Sequence, residues 1–382
     1  MGRAWIAISI LLCAGCATQH VALQDPHALF DDEAFAERNA ATPEDVFAVS
    51  DDMRQYLGRH ITSRQSWHDK ALTLTRALHG ETELKLAYDA SRTRTAAEAF
   101  ADREGNCLSL VVMTGALARE MDLDVRYYRV LMEDVWTRDG DLLLANQHVN
   151  LSLSSRIVNR RPGEGEFSLA VDFLPPEDLF RQVRSEIDQN TVVAMFNNNR
   201  AAEHLVAREF DDAYWSARAA VLADPGFVPA YNTLGVIYMR HGQLPEAERA
   251  FAYARTMEPE NPQILSNLVL VYRDEGRSEI ADRLAEQLRR IEPVPPYHYY
   301  LLALDAIRSG DYPKAHRLLE RELKRGPYNH EVDFALAAVS AALGDVKEAR
   351  RYLVMARDNS TTQRSRELYT AKLEGLRTVR VQ

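Results

Sequence analysis

Apolar and polar residues follow two different spacings in the first half of the chain. Apolar residues recur at intervals of three and four, which predicts helices, in three segments: residues 72–88, 95–100 and 108–121. Apolar and polar residues then alternate, which predicts strands, in three further segments: residues 125–130, 147–153 and 167–174. Helices followed by strands predict an α+β domain, which we place at residues 42–190 because Thr42 and Pro43 are typical of a helix N-terminus.

The second half of the chain repeats its pattern every 34 residues. Two residue types mark this period: Pro225, Pro259, Pro293 and Pro327, and Gly242, Gly276, Gly310 and Gly344. Small residues let two antiparallel helices approach each other, while glycine closes the turn between them and proline follows the second helix. Such a period predicts a helical solenoid.

The unit that begins at Val228 resembles a known repeat. Its characteristic residues are Tyr231, Leu234, Gly235, Tyr238, Ala247, Phe251, Ala254 and Pro259. This pattern is similar to that of the tetratricopeptide repeat. The resemblance predicts an all-α solenoid of four to five units over residues 194–361, followed by a capping segment at residues 362–382.

The concave face of a helical solenoid commonly holds a peptide or a protein, so a protein partner is expected here. The groove candidates are two asparagines at the fifth position of their units and two later tyrosines: Asn198, Asn232, Tyr297 and Tyr300. The alternative is that the array only extends the hydrophobic core.

Composition and charge narrow the classes of ligand. The chain has 382 residues, of which 46% are hydrophobic, and a formal net charge of -10. A nucleic acid partner is not expected, because no cluster of Lys and Arg alternates with aromatic residues. Neither a metal nor a cofactor is expected, because the histidines are scattered and no phosphate-binding glycine loop occurs.

The first residues are typical of an exported protein. The apolar run from Ala4 to Leu12 is too short to span a bilayer and indicates a signal peptide over residues 1–15. The sequence LCAGC resembles the lipobox of bacterial lipoproteins, which implies a lipid anchor at Cys16. By the same resemblance, Ala17 favours the outer membrane, with the protein facing the periplasm. Residues 16–41 then form a tether; an ordinary signal peptide without lipid is the alternative.

Cys107 is the one cysteine left for chemistry in the mature chain, since Cys13 leaves with the signal and Cys16 would carry lipid. Asn106 before it is a favourable helix N-cap. Cys107 is therefore predicted in the first turn of a helix, where unpaired backbone N–H groups and the helix dipole favour a thiolate. A small buried hydrophobe is the alternative.

A thiolate nucleophile needs a base, usually a histidine that an acid or amide orients. His148 lies on the polar face of the predicted strand 147–153, and Asp172 lies on the polar face of strand 167–174. An antiparallel pairing centred at residue 160 would set them opposite each other, within reach of a hydrogen bond. The long loop between the strands allows the register to slip, so two separate exposed residues remain the alternative.

The order of Cys on a helix, His on a strand and Asp on the next strand resembles the transglutaminase-like superfamily of papain-like cysteine enzymes. The matching segments contain GNC at Cys107, HVNLSL at His148 and VDFLPP at Asp172. The resemblance implies a nucleophile at Cys107, a general base and acid at His148, and an orienting acid at Asp172. The substrate would be an amide bond of a protein or peptide.

Two questions stay open at the level of sequence. The backbone N–H of Cys107 would donate one hydrogen bond to the oxyanion, and Tyr88 is a candidate for the second donor. Water or an amine could resolve the thioester, so hydrolysis and acyl transfer are both compatible with the pattern. The rival to an enzyme is a tetratricopeptide scaffold beside a catalytically silent domain.

Overall fold

The computed structural model describes residues 25–62, 64–79, 84, 86–139, 142–155, 168–173 and 183–378. The first half of the chain places helices against a sheet. The helices are α1 (Pro43–Val46), α2 (Asp51–His60), α3 (Trp67–His79), α4 (Ala96–Asp102) and α5 (Cys107–Glu120). The strands are β1 (Ala87–Tyr88), β2 (Glu104–Gly105), β3 (Leu123–Asp139), β4 (Leu142–Ser155), β5 (Leu169–Val171) and β6 (Val183–Ile187).

Helix α5 forms the centre of this half. Every residue from Leu108 to Ala118 is buried, because both faces of the helix pack against other elements. Gly115 allows β3 to come close, since a Cβ atom at this position would lie 2.3 Å from the Tyr127 hydroxyl oxygen. Close packing on all sides fixes the position of the N-terminus of α5.

Four strands form an antiparallel sheet in the order β5-β4-β3-β6, and β1 pairs with β2 in parallel. The sequence pattern did not reveal β6. It also predicted a helix that continues to residue 88, which is wrong at residues 87–88. Those two residues pair with Glu104 and Gly105 instead, and this long-range pairing overrides the local helical spacing.

The second half consists of helices that pair in antiparallel hairpins. They are α6 (Gln189–Ala207), α7 (Phe210–Ala223), α8 (Val228–His241), α9 (Leu244–Met257), α10 (Pro262–Asp274), α11 (Ser278–Ile291), α12 (His298–Arg308), α13 (Tyr312–Arg325), α14 (His330–Ala342), α15 (Val346–Asp358) and α16 (Gln363–Thr378). Gly242 ends α8 with a φ of +88°, as expected for a left-handed C-terminal residue. In the first hairpin Arg208 takes this conformation, with a φ of +62°.

Residues 25–41 lie against the first two hairpins, which differs from the predicted tether. Phe35 is 4% exposed and stacks on Tyr214, with ring centroids 4.2 Å apart. The Tyr238 hydroxyl donates a hydrogen bond of 2.8 Å to the Leu29 carbonyl, and Leu29 is also buried. The apolar residues of this segment follow neither the helical nor the strand spacing, so the sequence pattern could not predict this packing.

The buried hydrophobic residues of the described chain fall into two clusters. One extends from the N-terminal segment to α11, and the other from α12 to α16. The loop between α15 and α16 contacts the first half of the chain. There the Ala90 N–H donates a hydrogen bond of 2.7 Å to the Thr361 carbonyl. Within the described residues, none of the helices has the length and apolarity that crossing a membrane requires.

Candidate functional site

Cys107 is the first residue of α5. Its neighbour Asn106 is the N-cap, whose Oδ1 accepts a hydrogen bond of 2.9 Å from the Ser109 N–H. The pairing of β1 with β2 sets Tyr88 beside Gly105 and so brings the Tyr88 hydroxyl to 3.9 Å from the Cys107 Sγ. The thiol is only partly buried, and it therefore stays accessible at the start of the helix.

His148 and Asp172 meet beside this thiol. His148 lies in β4 and Asp172 directly follows β5, and the His148 Nε2 is 2.7 Å from the Asp172 Oδ1. The side chains are 5% and 7% exposed, so water competes little for the contact. Asn150, two residues beyond His148 on the same face, donates a hydrogen bond of 2.8 Å to the Asp172 Oδ2. Both carboxylate oxygens of Asp172 are thus engaged.

The register of β4 and β5 differs from the predicted one by two residues. Leu151 pairs with Val171, and Leu153 pairs with Leu169. This register sets Asn150, and not His148, across from Asp172. Because a shift of two residues keeps every side chain on its own face, His148 still reaches Asp172 along the diagonal. The sequence analysis assigned no role to Asn150. The spacing of two residues from His148 already placed both side chains on the same face of the strand.

The environment of His148 favours the charged imidazole. Burial alone would lower the pKa of this ring, but hydrogen bonds to Asp172 and to Cys107 outweigh burial and raise the pKa from 6.5 to about 9. An imidazolium between a carboxylate and a thiol can hold a thiolate by charge and can donate a proton to a departing group.

Tyr88 completes the surroundings of the thiol. The residue is 40% exposed, and its hydroxyl oxygen lies 3.9 Å from the Cys107 Sγ. Desolvation, together with the nearby thiol and Asp89, raises the pKa of the phenol well above 10. Tyr88 therefore keeps its proton and can act as a hydrogen-bond donor near the sulfur.

A buried ion cluster supports the loop between β1 and α4. Arg94 is 6% exposed and pairs with three acids, Asp89, Asp102 and Glu104. Its backbone N–H also donates a hydrogen bond of 2.8 Å to the Ser109 hydroxyl. Removing Arg94 would leave the buried carboxylate of Asp89 without its ion-pair partner, which is strongly destabilising. In the sequence, these residues appear only as several charged residues near the GNC segment. That pattern does not show which of them form ion pairs.

The predicted groove residues have different environments. Asn232 in α8 accepts a hydrogen bond of 2.8 Å from Asn267 in α10, so this pair joins two neighbouring repeats. The buried Oδ1 of Asn198 has no hydrogen-bond partner among the described residues. Tyr297 is 4% exposed and packs edge to face on Tyr300, with ring centroids 5.6 Å apart. Little of the ring is therefore exposed to a partner, and its role as a groove contact stays a prediction.

Two further predictions concern a lipid anchor at Cys16 and the absence of a metal site. Cys16 lies outside the described residues. Among the described residues, no group of three or more His, Cys, Asp or Glu side chains is arranged to hold a metal ion.

The comparisons with known proteins concern the repeats. The family described as "Tetratricopeptide repeat" matches residues 232–281 and 300–363. These segments of the chain are thus tetratricopeptide repeats, as the sequence predicted. No curated protein matches the chain.

Several solved structures resemble part of the chain. The MamA protein is 18% identical, with 44% of this chain and 91% of that chain covered and a TM-score of 0.26. PilF of Pseudomonas aeruginosa is 15% identical, with coverages of 50% and 94% and a TM-score of 0.28. Yeast Tom70 is 18% identical, with coverages of 51% and 41% and a TM-score of 0.34.

Proposed function

We propose that the tetratricopeptide repeats hold a protein or peptide partner along the first helices of neighbouring units. The proposal is supported by the family match and by the pair of Asn232 and Asn267, which places amide groups on two successive first helices. Amide side chains both donate and accept hydrogen bonds, so they suit the backbone of an extended peptide. Repeat arrays offer such extended concave surfaces.

The test is a peptide-array screen with the full chain, followed by fluorescence anisotropy of the peptides it selects. The double variant Asn232→Ala/Asn267→Ala should weaken binding at least about tenfold, since two amide contacts of roughly 1 kcal/mol each are lost. The matched control is Leu222→Ala, on the second helix of the first hairpin, where the side chain is 40% exposed. Equal binding by both variants would contradict the groove assignment.

A second candidate function is thiol chemistry on an amide bond, as in the transglutaminase-like enzymes that the first half resembles. The observation that favours it is the contact of 2.7 Å between the His148 Nε2 and the Asp172 Oδ1, with both side chains almost fully buried. An imidazole that an acid orients against a cysteine is the arrangement that activates a sulfur nucleophile.

The reaction would proceed in two steps. The Cys107 sulfur attacks the amide carbonyl carbon, the C–N bond breaks, and the proton of His148 passes to the leaving nitrogen, which gives an amine and a thioester. Water or a second amine then attacks the thioester, His148 takes its proton, and the thiolate leaves with release of an acid or a new amide. The Cys107 N–H at the start of α5 is positioned to stabilise the oxyanion.

Alkylation kinetics separate an active thiol from a silent one. If His148 holds Cys107 as a thiolate, iodoacetamide should modify Cys107 at pH 6 much faster than a free cysteine, whose pKa is about 8.5. His148→Ala should lower the rate towards that of a free thiol, and Asp172→Asn should lower it less. Equally slow alkylation of wild type and His148→Ala would contradict thiol chemistry. It would favour a tetratricopeptide scaffold beside a catalytically silent domain.

The location proposed for this chemistry is the periplasmic face of the outer membrane, through a lipid on Cys16. The experiment is metabolic labelling with a tagged fatty acid, followed by detergent-phase partitioning. The label and the partitioning should both be lost in Cys16→Ser. A wild-type protein that takes up no label and stays in the aqueous phase would rule out the anchor.

A further inference from the structure

We infer that Glu203, in the first helix of the repeat array, is a positioning residue for the N-terminus of the Cys107 helix. The inference rests on the thiol chemistry proposed above only for its effect on reactivity. Hydrogen bonds link Glu203 to Thr93, Thr93 to Asn106, and Asn106 to Ser109. Through these contacts the repeat array becomes a part of the site.

The first hydrogen bond joins the array to the loop before α4. The backbone N–H of Thr93 donates to the Glu203 Oε1 at 2.6 Å, and Thr93 is 1% exposed. The other carboxylate oxygen of Glu203 accepts a hydrogen bond of 2.9 Å from the Arg200 Nη1. Arg200 therefore holds the carboxylate in place for the hydrogen bond that the buried Thr93 N–H donates to it.

Three further hydrogen bonds connect Thr93 to α5 through Asn106. The Asn106 Nδ2 donates to the Thr93 Oγ1 at 2.9 Å. The Asn106 Oδ1 in turn accepts hydrogen bonds of 2.9 Å from both the N–H and the hydroxyl of Ser109. Asn106 is thus fixed on both ends of its amide, and the residue that follows it is Cys107.

These hydrogen bonds help to fix the position of Cys107 relative to His148. Without the Glu203 acceptor the buried Thr93 N–H loses its partner, and the loop must move to regain one. A moving loop would release the Asn106 side chain and let the first turn of α5 fray. Because a displacement of about 1 Å can change a reaction rate about 100-fold, even a small shift of Cys107 relative to His148 would be measurable.

Substitutions at two links of the chain test the inference. Glu203→Ala removes the acceptor, whereas Glu203→Gln keeps a side-chain oxygen for Thr93. Thr93→Val keeps the N–H but removes the acceptor for Asn106. The matched control is Glu209→Ala, which removes an acid that pairs with His204 at the end of the same helix and is 55% exposed.

Two readouts are needed. Amide hydrogen exchange at Ser109 should speed up in Glu203→Ala and in Thr93→Val, and should stay near the wild-type rate in Glu203→Gln and Glu209→Ala. Alkylation of Cys107 at pH 6 should fall about tenfold or more in the first two variants and less than about twofold in the others. The thermal midpoint of each variant shows whether it is folded.

The outcomes distinguish this inference from the thiol proposal. Unchanged exchange at Ser109 in Glu203→Ala would overturn the role of Glu203, whatever the reactivity of the thiol. Equal effects of Glu203→Ala and Glu203→Gln would also overturn it, because the lost charge would then explain both. Slow alkylation of the wild type would defeat the thiol proposal alone, since the exchange rates would still decide on Glu203.

Discussion

The His148 Nε2 lies 2.7 Å from the Asp172 Oδ1, although Asp172 is set across from Asn150 in the sheet. The acid thus reaches the histidine along a diagonal while Asn150 binds its second oxygen at 2.8 Å. A carboxylate that is held at both oxygens cannot turn away from the imidazole. Asn150 therefore fixes the direction of the hydrogen bond on which the basicity of His148 depends.

Asn150→Ala should lower the rate of Cys107 alkylation at pH 6 a few-fold, and by less than Asp172→Asn, because the acid stays but becomes less well oriented. The matched control is Ser152→Ala, on the same face of β4, whose hydroxyl lies 3.5 Å from that of Tyr128. Iodoacetamide kinetics with mass spectrometry of the labelled peptide give the rates. A larger effect at Ser152 than at Asn150 would argue against orientation through Asp172.

The raised pKa of His148 predicts how the free energy of unfolding depends on pH. The pKa is about 9 in the folded protein and 6.5 for an ordinary histidine. The stabilisation is therefore fully present below pH 6.5 and is lost as the pH rises through 9. A shift of this size corresponds to about 3 kcal/mol.

Urea unfolding at pH 6 and at pH 9.5 measures this contribution. The wild type should lose about 3 kcal/mol more than His148→Gln between the two pH values, since glutamine does not titrate. Parallel losses in the two proteins would show that the imidazole is not charged in the folded state.

Phe35→Ala should detach the N-terminal segment from the repeats. Phe35 is almost fully buried against Tyr214 and Tyr238, and truncation of a buried Phe costs about 3–5 kcal/mol. Trypsin should then cleave faster after Arg38, because in the docked segment the ion pairs of Arg38 with Asp211 and Asp212 hold this part of the chain against α7. Glu33→Ala, at an exposed position of the same segment, is the control and should leave the digestion pattern unchanged. Resistance of Arg38 in Phe35→Ala would show that the hydrogen bonds alone hold the segment.

Gly235→Ala should destabilise the repeats by about 1–3 kcal/mol, because the added Cβ would lie 2.6 Å from the buried ring of Phe251. Gly58→Ala is the matched control, since nothing lies within 4 Å of a Cβ there and the position is in helix α2. That variant should gain about 0.5–1 kcal/mol from helix propensity. Thermal unfolding of both variants measures the difference, and changes of the same sign would contradict the packing argument.

Sequence patterns predicted the features that depend on local spacing. The period of 34 residues revealed the paired helices, and Asn106 marked the start of α5. The alternation along the two strands predicted that His148 and Asp172 would share a face, and their side chains lie 2.7 Å apart. A face assignment needs only the alternation of residues along a strand, so it survived an error of two residues in the register.

Features that depend on contacts distant in sequence were missed. Leu29 and Phe35 are buried only because the tyrosines of the first two repeats receive them. Strand β6 forms because β3 offers it a free edge, and the charged residues Arg184 and Glu186 hide it in the sequence. Glu203 and Thr93 likewise have no shared pattern, although a hydrogen bond joins them.

The hydrogen bond between Ala90 and Thr361 changes how the molecule can be assembled. An open solenoid can grow and fray unit by unit from its free end. Here the loop after α15 returns to a segment about 270 residues earlier in the chain, so this contact has to wait until Thr361 has been synthesised. The ordering entropy of that long loop is therefore lost in a late step. The loop that follows β1 gains this contact only at that point, after its pairing with the elements nearer in sequence.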